Sequence, residues 1–401
     1  MKKLFYLIVA IAILGLIVPG CVPVAPSFEQ GDLSTLTKDG ELTIVWVDDD
    51  ADSEWYDTTH FKTIQEGITA VAPYGIVNVL TGFYEEQIRI KKPLTLISDT
   101  GDYRTSKTIL NGNTTIFLDA HAESGGEEGL ENVTIQGFRF ENILVDPDEG
   151  TIRDGEGNNV NYIDILSNSF YNITGPAIKS YTATSADGWI INDNKIESIT
   201  GGGMSGMALF NLKNSVISNN YISDTMKAGM LLDGVENITV SGNIVSNVPE
   251  QGIQVGYTQG KTNPSSDVTI IDNLVAFANT SESSNKGGIC IYPNQSNISI
   301  TENTLIGNYN GITVRKKDGV VYDTIHVNFN NIFNNNKGYG IGNFAKGYTG
   351  GNIGILDAIN NWWGDTIGPC GELPNGKWIG KGDKVSSNVN YTPWLRHPVK
   401  F

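Results

Sequence analysis

The stretch NISITENTLIGN, residues 297–308, alternates apolar residues (Ile298, Ile300) up to an asparagine, Asn303, and sets another apolar residue, Leu305, two places beyond it. DVTIIDNLVAFAN, residues 267–279, has the same layout around Asn273. The asparagine recurs at Asn168, Asn194, Asn220, Asn243, Asn273, Asn303 and Asn330, in steps of 26, 26, 23, 30, 30 and 27 residues. A second phrase, Gly-(Ile/Met)-x-(Leu/Val/Ile), follows the later asparagines: GMAL at Gly206, GMLL at Gly229, GIQV at Gly252, GICI at Gly288 and GITV at Gly311. Period-2 strands this short bury little by themselves, whereas stacked copies share one continuous core.

A repeat of 23–30 residues made of alternating strands, with no helical stretch inside it, points to a parallel β-helix in which each repeat is one coil. The asparagines then stack at one bend, where their carboxamides pass hydrogen bonds from coil to coil. A leucine-rich repeat has a similar period but needs a dense leucine frame, which this chain lacks. The 46 glycines and 41 asparagines suit a fold with three bends per coil. The reading is therefore an all-β, single-stranded coil of about ten turns.

Composition narrows the partners. The net charge of −17 disfavours nucleic acid and anionic membrane surfaces, and disfavours a polyanionic sugar without a bridging cation. Residues 1–21 read as a secretory leader: Lys2 and Lys3, an apolar run from Leu4 to Val18, then Pro-Gly-Cys. LIVPGC resembles a prokaryotic lipobox, which implies lipidation of Cys21 and a membrane tether. Residues 22–43 read as a linker and 44–401 as the β-helix domain, expected to be a monomer. The two further cysteines, Cys290 and Cys370, lie too many coils apart for a disulfide.

An open solenoid needs its ends covered. HFKTIQEGITAVA, residues 60–72, places Phe61, Ile64, Ile68 and Val71 on one helical face, with Thr58 or Thr59 as its cap. At the other end stands the Trp-rich NNWWGDTIGP, residues 360–369.

These ends carry a family resemblance. VDDD (47–50), FKTIQEGITAV (61–71), VLTGFYEEQIRIKKPLTLIS (79–98), TILNGN (108–113), the tryptophan segment and GDKVSSNVNYTPWL (382–395) resemble secreted right-handed β-helix proteins of the pectate-lyase-like superfamily, among them the NosD-like and carbohydrate-binding β-helix families. The resemblance spans residues 44–395 and implies a right-handed coil at the cell surface. It says little about reaction, because function resides in grafted sites.

No catalytic set of that superfamily is complete in the sequence. No Gly-His-Gly occurs, and VRKKDG (314–319) matches Arg-x-Lys only through Arg315 and Lys317. Asp272 and Glu302 each precede a ladder asparagine one coil apart, a pairing that suits either acid–base work or a left-handed bend. Asp48, Asp50 and Asp52 have the alternate spacing of a cation loop, for which calcium is the expected ion, but lack the glycine and distal glutamate of an EF-hand. The NosD-like resemblance raises copper, and Met204, Met207, Met226 and Met230 fall within two repeats, although methionine at such positions also simply packs.

If the fourth letter of the second phrase points inward, the fifth points out. That column reads Lys179, Phe210, Asp233, Gly256, Tyr292 and Arg315, with Tyr257 adjacent. Aromatics among charges at coil spacing suit a sugar polymer, because rings stack on sugar faces and charges bond hydroxyls. The expected function is a non-catalytic surface protein that binds glycans or serves in adhesion or the envelope. The competing expectation is a polysaccharide lyase or glycoside hydrolase.

Overall fold

The computed structural model describes residues 40–400, apart from 121–128, 147, 156–158, 182–185, 202–204, 258–263, 318–323, 336, 347–353 and 373–377. Among the described residues, parallel strands form three long sheets: sheet A with 15 strands, and sheets B and C with ten each. The chain visits A, B and C in turn, and each visit pairs with the equivalent strand of the previous coil. Ten strands each in sheets B and C match the ten coils expected from the repeat.

Bends make the coil. Ser167, Asp193, Asn219, Asp272 and Glu302 all adopt left-handed backbone, with φ between 49° and 59°, and Gly242 joins them at 63°. Each immediately precedes a ladder asparagine. Asn, Asp and Gly tolerate this conformation best, which is why they recur there. The carboxylate of Asp272 thus follows from bend chemistry, whereas Glu302, like Ser167 and Phe329, holds the same backbone without that preference.

The asparagines form the expected ladder. Asn243 Oδ1 accepts from Asn220 N and Nδ2, both at 2.9 Å, while its own Nδ2 donates to Ile217 O at 2.8 Å and to Asn273 Oδ1 at 2.9 Å. Every rung is buried, so each satisfied donor avoids a desolvation cost of about 1–3 kcal/mol. The ladder runs one rung beyond the sequence count, to Asn361, whose Oδ1 accepts from Asn330 N at 2.8 Å. A second, shorter ladder crosses the bend between sheets B and C. Asn308 Nδ2 donates to Asn335 Oδ1 at 3.0 Å, and Asn335 Nδ2 to the Asp383 carboxylate at 2.7 Å.

Inward columns fill the interior. In sheet C, Ile178, Met207, Met230, Ile253, Ile289 and Ile312 pair in succession and are all fully buried. Burial of such side chains stabilises the coil by roughly 1.5–3 kcal/mol each.

At the N-terminal end, helix α1 (Ile64–Ala70) is shorter than the sequence suggests. Its N-cap is Thr63, which forms a capping box with Glu66, in place of Thr58 or Thr59. His60–Phe61 instead pairs as a strand with Trp46–Val47. Two contacts tie the helix to the coil. The Glu86 carboxylate accepts from Ile64 N at 2.9 Å and Gln65 N at 3.1 Å. The Gln65 carboxamide accepts from Arg89 N at 2.7 Å and donates to Arg89 O at 3.3 Å, satisfying the first strand of sheet C. At the C-terminal end Trp363 is fully buried in the core cluster.

Candidate functional site

Register decides which side chains meet on the outer face of sheet C. Phe210 pairs with Asp233. Leu232 pairs with Val255, which sets Asp233 beside Gly256, and Ile291 pairs with Val314, which sets Tyr292 beside Arg315. Five of the six column positions expected from the sequence are therefore neighbours. Lys179 is not: it pairs with Ala208, two residues short of Phe210. The cause is a local offset. In GPAIKS the residue equivalent to Gly206 is Ala177, whose N–H donates to Gly206 O at 2.9 Å, so counting from Gly175 shifts the column by two.

The column is only partly open to solvent. Tyr257 is 41% exposed and Phe210 and Arg315 are half-buried, but Asp233 and Tyr292 are buried. Burial pushes the Asp233 carboxyl up to about 6, against the lowering effect of the Tyr257 N–H. Its Oδ1 has no hydrogen-bond partner among the described residues. The Tyr292 hydroxyl accepts from Gln251 Nε2 at 2.8 Å, and the Arg315 guanidinium lies 4.3 Å from the Tyr292 ring centroid. Desolvation raises the phenol above its ordinary range.

Beneath Tyr292 lies a polar row absent from the sequence reading. Gln254 pairs with Cys290, and Cys290 with Thr313; all three are buried on the outward side of the sheet. These residues are the third letter of the repeated phrase. That letter also points out, and it turns polar only in the last three copies. The Cys290 thiol is pushed up to about 11, mainly by burial, which keeps it protonated and unreactive. Cys290 and Cys370 are both free. The site thus offers one carboxyl, two phenols, one guanidinium and two carboxamides. That inventory suits hydrogen bonding to hydroxyls.

The family model described as "Right handed beta helix region" matches residues 121–324. The chain belongs to the right-handed β-helix family. No curated protein matches this β-helix protein. Among solved structures it is similar to PfbA, a surface adhesin of Streptococcus pneumoniae, at 12% identity over 76% of this chain and 89% of that one, with a TM-score of 0.40. The family 28 exopolygalacturonase of Yersinia enterocolitica is 11% identical over 80% and 79%, at 0.43. The Dettilon tailspike protein is 14% identical over 75% and 68%, at 0.37. Likeness at these values carries no argument about activity or partner.

The remaining candidates of this β-helix are placed as follows. Carboxylate oxygens of Asp48, Asp49 and Asp50 lie within 4.8 Å of one another, so Asp49 takes the place expected for Asp52. The reason is a bend at 49–50 that breaks the strand's alternation. Among the described residues this is the group of three carboxylates that could hold a cation such as calcium. Burial, and then the neighbouring Asp50 carboxylate, raise the Asp48 carboxyl. Met207 and Met230 pair in the core while Met226 is 50% exposed, so these three do not form a thioether site for copper. Met204, the leader, the lipobox and Cys21 lie outside the described residues.

Proposed function

We propose that this β-helix is a cell-surface protein that binds a glycan along the outer face of sheet C without transforming it, held at the membrane through lipidated Cys21. The observation that supports this reading is the register that sets Phe210, Asp233, Gly256, Tyr292 and Arg315 in one column over five successive coils, with Tyr257 exposed beside them. Phe210 and Tyr257 offer ring faces for stacking, and Arg315, backed by Tyr292, offers donors to hydroxyls. Lys179 is left out of the binding set because it pairs two residues away.

Affinity electrophoresis through gels containing single polysaccharides tests it. Native protein should be retarded by at least one neutral polymer, and Phe210→Ala with Tyr257→Ala should lose most of that retardation. Equal mobility of the two forms in every gel discards the face.

A second reading, hydrolysis or lysis of a polysaccharide, draws support from one observation: Asp233 is half-protonated near pH 6 and keeps an oxygen without a partner. The column holds only one carboxylate, whereas glycosidases ordinarily use two. New reducing ends or unsaturated products that vanish in Asp233→Asn would favour this second reading.

A further inference from the structure

Three coils ahead of Asp233, the same face of sheet C carries a pocket of about 210 Å³. Its polar wall is made by Gln87 and Thr115, which pair in register, and by Asn113. The fully buried Thr151 continues the Gln87–Thr115 column, and its Oγ1 has no partner among the described residues. Arg153 lies on the opposite wall and is held from two sides. The Glu149 carboxylate lies 2.5 Å from its Nε as an ion pair without hydrogen-bond alignment, and the Phe117 ring lies 4.7 Å from its guanidinium. The other side of Phe117's environment is fixed by Arg89, 4.9 Å away and itself bound to Asp119 at 2.8 Å. Arg153 is thus fixed before any ligand arrives, which lowers the ordering cost of binding. Leu144, 63% exposed, supplies one apolar side.

We propose that this pocket binds a single uncharged pyranose residue of the glycan, and that it selects against uronates. The inference rests on the glycan-binding reading above and names its substrate class. Size supports one sugar ring: the volume is below the roughly 300 Å³ at which pockets for larger ligands begin. Charge gives the selection. One cation, Arg153, faces Asp146 and Glu149 on the pocket wall, and Glu85 sits behind Asn113 at 3.1 Å. A ligand carboxylate would meet net negative charge, whereas hydroxyls find carboxamides and a threonine that donate and accept, and carboxylates that accept. Leu144 suits the C–H face of the ring.

Saturation-transfer NMR with methyl glucoside, methyl galactoside and galacturonate, each added separately to the full chain, tests the proposal. At least one methyl glycoside should give signals, galacturonate should give less than a tenth of them, and Gln87→Ala with Asn113→Ala should abolish them. Both residues are exposed, and Leu144→Asp at the rim is a second variant that should do the same. Absence of signal from both methyl glycosides, a stronger galacturonate signal, or signals unchanged in both variants overturns it. Polymer retardation lost in Phe210→Ala with Tyr257→Ala but kept in the pocket variants overturns the pocket and leaves the binding face standing. Absence of retardation in every gel, together with silent NMR, removes both.

Discussion

Asp233 shows how one position couples the site to stability. Its ordinary carboxyl value is 3.8, and burial in the folded chain lifts it to about 6. The folded state therefore holds a proton that the unfolded state gives up earlier. The stabilising contribution is complete below about pH 4 and is lost as pH rises through 6, a change of roughly 3 kcal/mol for a two-unit shift. Urea denaturation of native protein between pH 4 and 7.5 should show that decline, and Asp233→Asn should flatten it. A native curve that rises across the interval contradicts the assignment. Nothing in DGVE (233–236) announces this shift; it arises because the fold buries the carboxyl, and the Tyr257 N–H only partly offsets that burial.

Among the elements, the asparagine ladder is the one most exposed to single substitutions. Asn273 Oδ1 accepts from Asn243 N and Nδ2, and its Nδ2 donates to Val240 O and to Asn303 Oδ1, all at 2.9 Å. Asn273→Ala strips buried partners from both neighbouring coils. It should cost about 3 kcal/mol in urea denaturation, since two or more buried groups lose their bonds at about 1–3 kcal/mol each. A loss below about 1 kcal/mol would show that water replaces the carboxamide. The ladder was legible in the sequence because its spacing is regular. The ladder Asn308–Asn335–Asp383 was not: it has only three members, and the last is an aspartate 48 residues from its partner. Helix α1 was legible in its apolar face but not in its start. Thr63 with Glu66 outcompetes Thr58 and Thr59 because only that pair closes a capping box.

For the whole molecule the ends matter most. The segment after 380 lays Asp383 against Asn335 and Val389–Asn390 against Leu356–Asp357, and Ser386 N donates to Ile341 O at 3.1 Å. It thereby covers the last strands of sheets A and C. A chain ending at Ile379 exposes those strands, and an exposed parallel edge recruits other chains. Size-exclusion chromatography should give a monomer for the full chain and concentration-dependent oligomers for the truncated one. A truncated chain that stays monomeric at every concentration shows that the edges are protected by something else. The acidic surface, −17 overall, agrees at this scale with a pocket that prefers an uncharged sugar.

The sequence by itself determined the coil, because a period-2 apolar pattern repeated every 23–30 residues has one economical way to bury itself, and because left-handed bends admit few residue types. It also determined most of the outward column, since side chains alternate faces along a strand. Tertiary structure alone decided which of those residues are usable. The two-residue offset at Gly175, the burial of Tyr292 beneath Arg315, the polar row through Cys290 and the pocket at Arg153 all depend on how unequal bends set one coil against the next. Bend geometry is a property of neighbouring coils in contact, and no single repeat contains it.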